Sequence, residues 1–199
     1  MKNLKIYENF NKEGEYVLVR TLQSLDEFKD GIRVFQNPPF CEVLSDKDCE
    51  EEYNSYVDNG IAFGCFVDDK LAGINCVLYD VPEEYGIGFH DKDKVAYLSG
   101  LAVKEEFRKK GLGKLLQQET EKYLEGLDKY DYIFARIQCE GSMSAGIIAP
   151  MGYEDAYYNG ELIVDNATYE RNREDLPQSD ARKFMVKTLN QNGNGWYRK

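Results

Sequence analysis

The stretch Leu98 to Leu116 constrains this chain most. In it an apolar run passes through a short basic turn with glycines straight into an amphipathic segment. Val95 to Val103 is nearly continuous in apolar residues, as expected of a central strand covered on both faces. From Leu112 the residues Leu112, Leu115, Leu116, Tyr123, Leu124 and Leu127 recur at helical spacing, with Lys114, Gln117, Glu121 and Lys122 between them. Such a pair buries its apolar surfaces when the helix lies across a sheet. The chain therefore reads as α/β, a mixed (α+β) sheet with a βαβ unit at its centre.

The remaining elements fit that frame. Tyr16 to Leu22 is rich in β-branched and aromatic residues and predicts a first strand. Ser24, with Glu27 three residues on, predicts a capping box and a helix to about Phe35, stopped by Asn37-Pro38-Pro39. An acidic helix is expected from Asp46 to Val57, closed by Asn59-Gly60. Ile61 to Val67 and Leu71 to Tyr79 are strand-like runs joined by Asp68-Asp69-Lys70, a hairpin signature. Gly100 inside the central strand predicts a bulge or a close backbone approach. A strand at Tyr132 to Ile137, a short helix at Ser142 to Ala149 and strands near Tyr157 to Val164 and Lys183 to Leu189 complete the order. One domain over 16–189 is expected, after a polar lead at 1–15 and before a loose tail at 190–199.

Composition narrows the function. With 25 Lys+Arg against 36 Asp+Glu the net charge is −11, which disfavours nucleic-acid and membrane partners. The single histidine, His90, excludes sites that need paired imidazoles, and no metal is expected. The five cysteines are scattered without a C-x-x-C pair and read as reduced thiols, Cys65 and Cys76 as small hydrophobes in strands. The N-terminus has no apolar leader, and no stretch approaches the 18 apolar residues of a membrane span, so a cytoplasmic location is expected.

Against that acidic background, Lys104, Arg108, Lys109, Lys110 and Lys114 place five cations within eleven positions around the turn Arg108-Lys109-Lys110-Gly111-Leu112-Gly113. A turn feeding a helix aims unpaired backbone N–H groups at an anion, and glycines let a pyrophosphate approach the main chain. A polyanionic ligand is the sharp reading and a solvated basic turn the plain one. The Walker pattern fails because Arg108 stands where it needs glycine, and the dinucleotide fingerprint fails at Leu116. The acidic run Asp46 to Glu52 is most simply a solvated helix face, and a sharper reading makes it a rim attracting a cationic amine.

The segment resembles the GNAT superfamily of acyl-CoA N-acyltransferases. That family's Arg/Gln-x-x-Gly-x-Gly/Ala follows a strand ending in a Leu-Ala-Val-like triplet, here Arg108 to Gly113 after Leu101-Ala102-Val103. The hairpin Phe66 to Ile74 and the short helix ending in Met151-Gly152-Tyr153 are similar too, and the resemblance covers Tyr16 to Leu189. It implies acetyl-CoA as co-substrate. Backbone groups of Leu101, Ala102 and Val103 would pair with the pantetheine amides like an added strand. Arg108, Lys109, Lys110, Gly111, Leu112 and Gly113, with Lys114 beside them, would hold the pyrophosphate. A bulge near Gly100 would splay Val95–Val103 from Tyr132–Ile137 and open a V-shaped slot for the pantetheine arm.

The family's frequent tyrosine acid falls on Ile148 here, its frequent asparagine on Ser142, which is grouped with the cofactor-binding residues, and its carboxylate base near Tyr97. The leaving thiol resembles cysteine, with a pKa of about 8.5, and can depart without a dedicated acid. A backbone N–H can serve as oxyanion donor. Only the base lacks an evident residue, and a water chained to Tyr97, to His90, or to Asp80 or Glu84 is the expectation. His90 reads first as a surface or structural histidine. The resemblance implies an N-acetyltransferase that moves an acetyl group from the CoA thioester to a primary amine of a small molecule or peptide, by direct attack through a tetrahedral intermediate. A monomer or homodimer is expected. The alternative is a non-catalytic acyl-CoA-binding or interaction module of the same fold.

Overall fold

The structure, a computed structural model, describes residues 4–11, 14–36, 44–81, 94–138, 143–158, 161–162 and 182–189. The chain gathers into two compact units, Met1–Leu78 with Ser99–Tyr123, and Tyr79–Leu98 with Leu124–Lys199. Within the first unit the strands β1 (Lys5–Phe10), β2 (Tyr16–Thr21), β3 (Gly60–Val67), β4 (Lys70–Leu78) and the second half of β5 (Val95–Val103) follow one another as neighbours. The first three pairings are antiparallel. β1 arises in the segment read as a polar lead. In Lys-Ile-Tyr-Glu-Asn-Phe the apolar residues do not alternate with the polar ones, and pairing with β2 supplies the order that the pattern does not announce.

Local chemistry explains most boundaries. Ser24 caps α1 (Leu25–Ile32) by accepting from the Glu27 N–H at 3.2 Å. The expected reciprocal arm goes elsewhere, because the Glu27 carboxylate takes the Gln23 N–H and the Arg20 guanidinium instead. The α-helix ends at Ile32 and tightens into a 3-10 turn over Arg33–Gln36. α2 (Asp46–Asn59) has the full capping box, Ser45 with Asp48. Gly60 is no left-handed cap. With φ −168° it is extended and opens β3. Asp68 and Asp69 take φ 46° and 64°, the left-handed pair of a two-residue hairpin turn. Leu22, Phe28, Ile32, Tyr56, Ile74 and Cys76 belong to the core that α1 and α2 close over β2–β4.

α3 (Leu112–Gly126) buries Leu112, Leu116 and Leu124 as expected. It also buries Gln117, Thr120 and Glu121, two of which the periodicity puts on the polar side. Leu127, read as the end of the stripe, lies past the helix and is exposed.

In the second unit the first half of β5 runs parallel to β6 (Tyr132–Gln138), from the pair Val95–Tyr132 to Leu98–Ala135. β6 and β7 (Glu154–Asp155) flank β10 (Arg182–Thr188), both antiparallel to it. α4 (Met143–Ile148) passes into a 3-10 turn, Ala149–Met151, that ends at Gly152 with φ 91°. The strand expected near Tyr157 to Val164 is the short antiparallel pair β8 (Tyr157–Tyr158) and β9 (Glu161–Leu162). The tail at 190–199 lies outside the described residues.

Candidate active site

The end of β5 and the turn after it are held from several directions, all within the first unit. The Lys104 N–H donates to the Ala72 carbonyl at 2.8 Å, and a Cβ at Gly73 would come within 2.7 Å of the Ala102 carbonyl oxygen. β4 and β5 therefore approach closely here because Gly73 has no side chain. A 3-10 turn, Glu105–Phe107, reverses the chain. Arg108 Nε then donates back to the Val103 carbonyl at 3.0 Å, closing the turn on the last residue of the strand.

Two residues of the turn have reversed backbone. Lys109 lies at φ 64° and Gly111 at φ 79°, and a Cβ at Gly111 would meet nothing within 4 Å. Conformation, not crowding, therefore selects glycine at 111. The Gly111 carbonyl accepts the Leu115 N–H at 3.0 Å, so the N–H groups of Leu112, Gly113 and Lys114 precede the helical ladder and have no acceptor within α3.

The five cations are not five free charges. Lys104 Nζ binds Asp30 at 2.8 Å and Lys110 Nζ binds Glu15 at 2.7 Å, so carboxylates from outside the segment neutralise both. Lys109 and Lys114 are exposed and form no ion pair with a described residue. The local reversal of sign is thus real but narrower than the sequence suggests, resting on Arg108, Lys109, Lys114 and the helix N-terminus. Beside the turn an open cavity of about 450 Å³ is lined by Asp30, Asp69, Lys70, Leu71, Lys104, Glu106 and Phe107. Its carboxylates outnumber its lysines, so it is the wrong environment for a polyanion.

Of the expected acid–base residues, Tyr97 and Asp80 lie among the described ones. Tyr97 is only 3 % exposed in the first half of β5, in the second unit, with its ring 6.5 Å from that of Phe184. The Asp80 carboxylate accepts the neighbouring Val81 N–H. His90, Glu84, Ser142, Cys41 and Cys139 lie outside the described residues. Ile148, at the position of the family's acid, is fully buried, and Tyr153 is core. Cys49, Cys65 and Cys76 are buried free thiols. Burial pushes Cys65 up to about 12 and Cys76 well above its ordinary value, which removes the thiolate that nucleophilic chemistry needs.

One cluster near β5 was not singled out by the sequence. Tyr56 of α2 is 4 % exposed, and its hydroxyl lies 2.6 Å from Ser99 Oγ and 3.1 Å from Glu52 Oε1. Ser99 Oγ has a further acceptor in the Cys76 carbonyl at 3.3 Å. Burial, then the neighbouring Cys76 and Glu52, push the Tyr56 hydroxyl well above its ordinary value. The usable signal is Glu52 and Tyr56 four apart on a helix, with a lone hydroxyl in an apolar strand.

The strand end, the tied basic turn and the helix N-terminus thus stand together in the first unit. The model of the Acetyltransferase (GNAT) family matches residues 29–145, and the chain belongs to that family. Solved structures of the same fold include the ribosomal-protein-S18-alanine N-acetyltransferase from Escherichia coli, 14 % identical with a TM-score of 0.62 over 92 % of this chain and 99 % of that one. Ard1 from Thermoplasma volcanium is 12 % identical with a TM-score of 0.61, over 86 % of this chain and 97 % of that one. An acetyltransferase from Bacillus subtilis, solved in complex with CoA, is 16 % identical with a TM-score of 0.57, over 87 % and 98 %. At such identities the likeness is one of fold. No curated protein matches the chain.

Proposed function

We propose that the protein is an N-acetyltransferase that moves the acetyl group of acetyl-CoA to a primary amine. The observation that carries this is the turn at Gly111, whose positive φ and open Cβ space leave the main chain accessible just before the N–H groups of Leu112, Gly113 and Lys114. These donors suit the oxygens of a pyrophosphate, with Arg108, Lys109 and Lys114 supplying charge. The Arg108 bond to Val103 ties the turn to Leu101–Val103, where backbone groups would run beside the pantetheine amides. Amine attack on the thioester carbon forms the C–N bond, and collapse of the tetrahedral intermediate breaks the C–S bond and releases CoA.

Reduced, buried thiols support a cytoplasmic setting. Among the described residues no helix is long and apolar enough to cross a membrane. A second reading, a CoA-binding module without turnover, is favoured by one observation: the family's acid position holds a buried Ile148.

Thermal denaturation with and without acetyl-CoA tests the proposal. Acetyl-CoA should raise the melting temperature, by several degrees at ligand concentrations of about 100 Kd. Gly111→Glu, which sets a carboxylate and a strained φ at the turn, should abolish the shift. An unchanged melting temperature in the parent protein rejects the assignment. CoA binding without acetyl transfer to any of a broad set of amines selects the second reading.

A further inference from the structure

Amine attack on a thioester releases a proton, and a deeper reading of the same site asks where it goes. Three side chains of the first unit answer. Ser99 lies on β5 two residues before Leu101, on the side away from the turn. A pantetheine arm anchored at Arg108–Gly113 and paired along Leu101–Val103 therefore brings its thioester to the neighbourhood of Ser99. Behind Ser99 stands the Tyr56 hydroxyl at 2.6 Å, and behind that Glu52 Oε1 at 3.1 Å.

The bonds have a direction. With Tyr56 donating to the Glu52 carboxylate, the single Ser99 proton goes to Tyr56 Oη at 2.6 Å, and the Cys76 carbonyl at 3.3 Å is its second, longer acceptor. Ser99 is half-buried on its strand and Glu52 half-buried on its helix, so the chain of oxygens has an accessible group at each end and a buried phenol in the middle. Tyr56 is suited to pass a proton and not to hold an anion, because burial keeps it protonated.

We propose that Ser99, Tyr56 and Glu52 form a proton relay that serves as the general base for acyl transfer, an inference that rests on the acetyltransferase reading above. As the amine nitrogen bonds to the thioester carbon, its proton passes to Ser99 Oγ. The Ser99 proton passes to Tyr56 Oη, and the Tyr56 proton to Glu52. The C–S bond breaks with its electron pair on sulfur. The net change is amine, thioester and Glu52 carboxylate to amide, CoA thiolate and Glu52 carboxylic acid, which then gives its proton to solvent. Ser99 is the member that touches substrate; Tyr56 and Glu52 act through it.

The test compares the full-length protein with Glu52→Gln and Tyr56→Phe, using acetyl-CoA and n-butylamine as probes and following thiol release. The relay predicts at least about a tenfold loss of turnover in each variant. The KM for acetyl-CoA should stay within about twofold and the acetyl-CoA melting shift should persist, as removal of a base requires. A solvent deuterium isotope effect in the parent protein, reduced in Tyr56→Phe, adds a readout that lost packing alone would not move. Glu52→Gln is nearly isosteric on a helix face, so it decides the matter if Tyr56→Phe fails to fold. Full turnover in Glu52→Gln overturns the relay and leaves the acetyltransferase reading intact. A parent protein that binds acetyl-CoA without consuming butylamine overturns the relay and leaves CoA binding. Absence of any melting shift in the parent overturns both.

Discussion

Two polar clusters are buried in the first unit, from neighbouring residues of β4 that face opposite sides of the sheet, and they are built differently. On the α3 side Asn75, fully buried, donates to Gln117 Oε1 and Thr120 Oγ1, each at 2.9 Å. Gln117 passes a bond to Glu121, and Thr120 donates to the Leu116 carbonyl. On the α2 side Ser99 Oγ lies 2.6 Å from the Tyr56 hydroxyl and 3.3 Å from the Cys76 carbonyl, and Tyr56 donates on to Glu52. The first cluster is closed, with all four of its side chains under a tenth exposed. The second runs between two half-buried ends. Closed networks fix packing, because any member removed strands its partners away from water. An open one keeps partial contact with solvent at its ends. Among the described residues the buried Asn75 amide oxygen has no hydrogen-bond partner.

The sharpest way to break that contrast is Gln117→Ala. It removes the acceptor of Asn75 and a partner of buried Glu121, and should cost about 3 kcal/mol in urea denaturation. Acetyl transfer per folded molecule should be unchanged. Tyr56→Phe, by contrast, should cost only about 1 kcal/mol, since Glu52 and Ser99 keep access to water. Equal losses from the two substitutions would dissolve the distinction.

The smallest effect lies at a third cluster, where Arg20 grips Glu27 at 2.7 and 3.0 Å and lies 4.0 Å above the Phe66 ring. The guanidinium holds the Glu27 carboxyl below its ordinary 4.5, with partial burial opposing. Its stabilisation is complete above that ordinary value and is lost as pH falls through the lower folded-state value. The difference in urea midpoint between the parent and Glu27→Gln should therefore be largest near neutrality and fade in acid. A difference that acid leaves untouched would refute the assignment of the shift to this pair.

What the sequence made legible follows from range. β5, α3, the β3–β4 hairpin and the turn at Arg108–Gly113 announce themselves through contiguous periodicity and turn chemistry. β1 does not, since its order comes from pairing with β2, and β7 is two residues long, too short to leave a period, while the strand read near Tyr157 to Val164 is split into two such pieces, β8 and β9. The burial of Gln117 could not be read because Asn75 stands 42 residues away. The basic turn was legible, but its charge was overcounted, because Asp30 and Glu15 reach Lys104 and Lys110 from 74 and 95 residues away. Glu52 was hidden by its neighbours. In a run of carboxylates nothing local marks the one that meets a buried tyrosine.

Under the proposed function Arg108 would join two jobs that are separable in principle. Its Nε already holds the carbonyl of Val103, the residue at which β5 ends. A phosphate drawn to the same guanidinium thus competes with, or reinforces, a bond that defines where the strand stops. The amide of Lys104, one bond beyond that carbonyl, becomes a built-in reporter: its chemical shift should register occupancy of the turn with no label on the ligand.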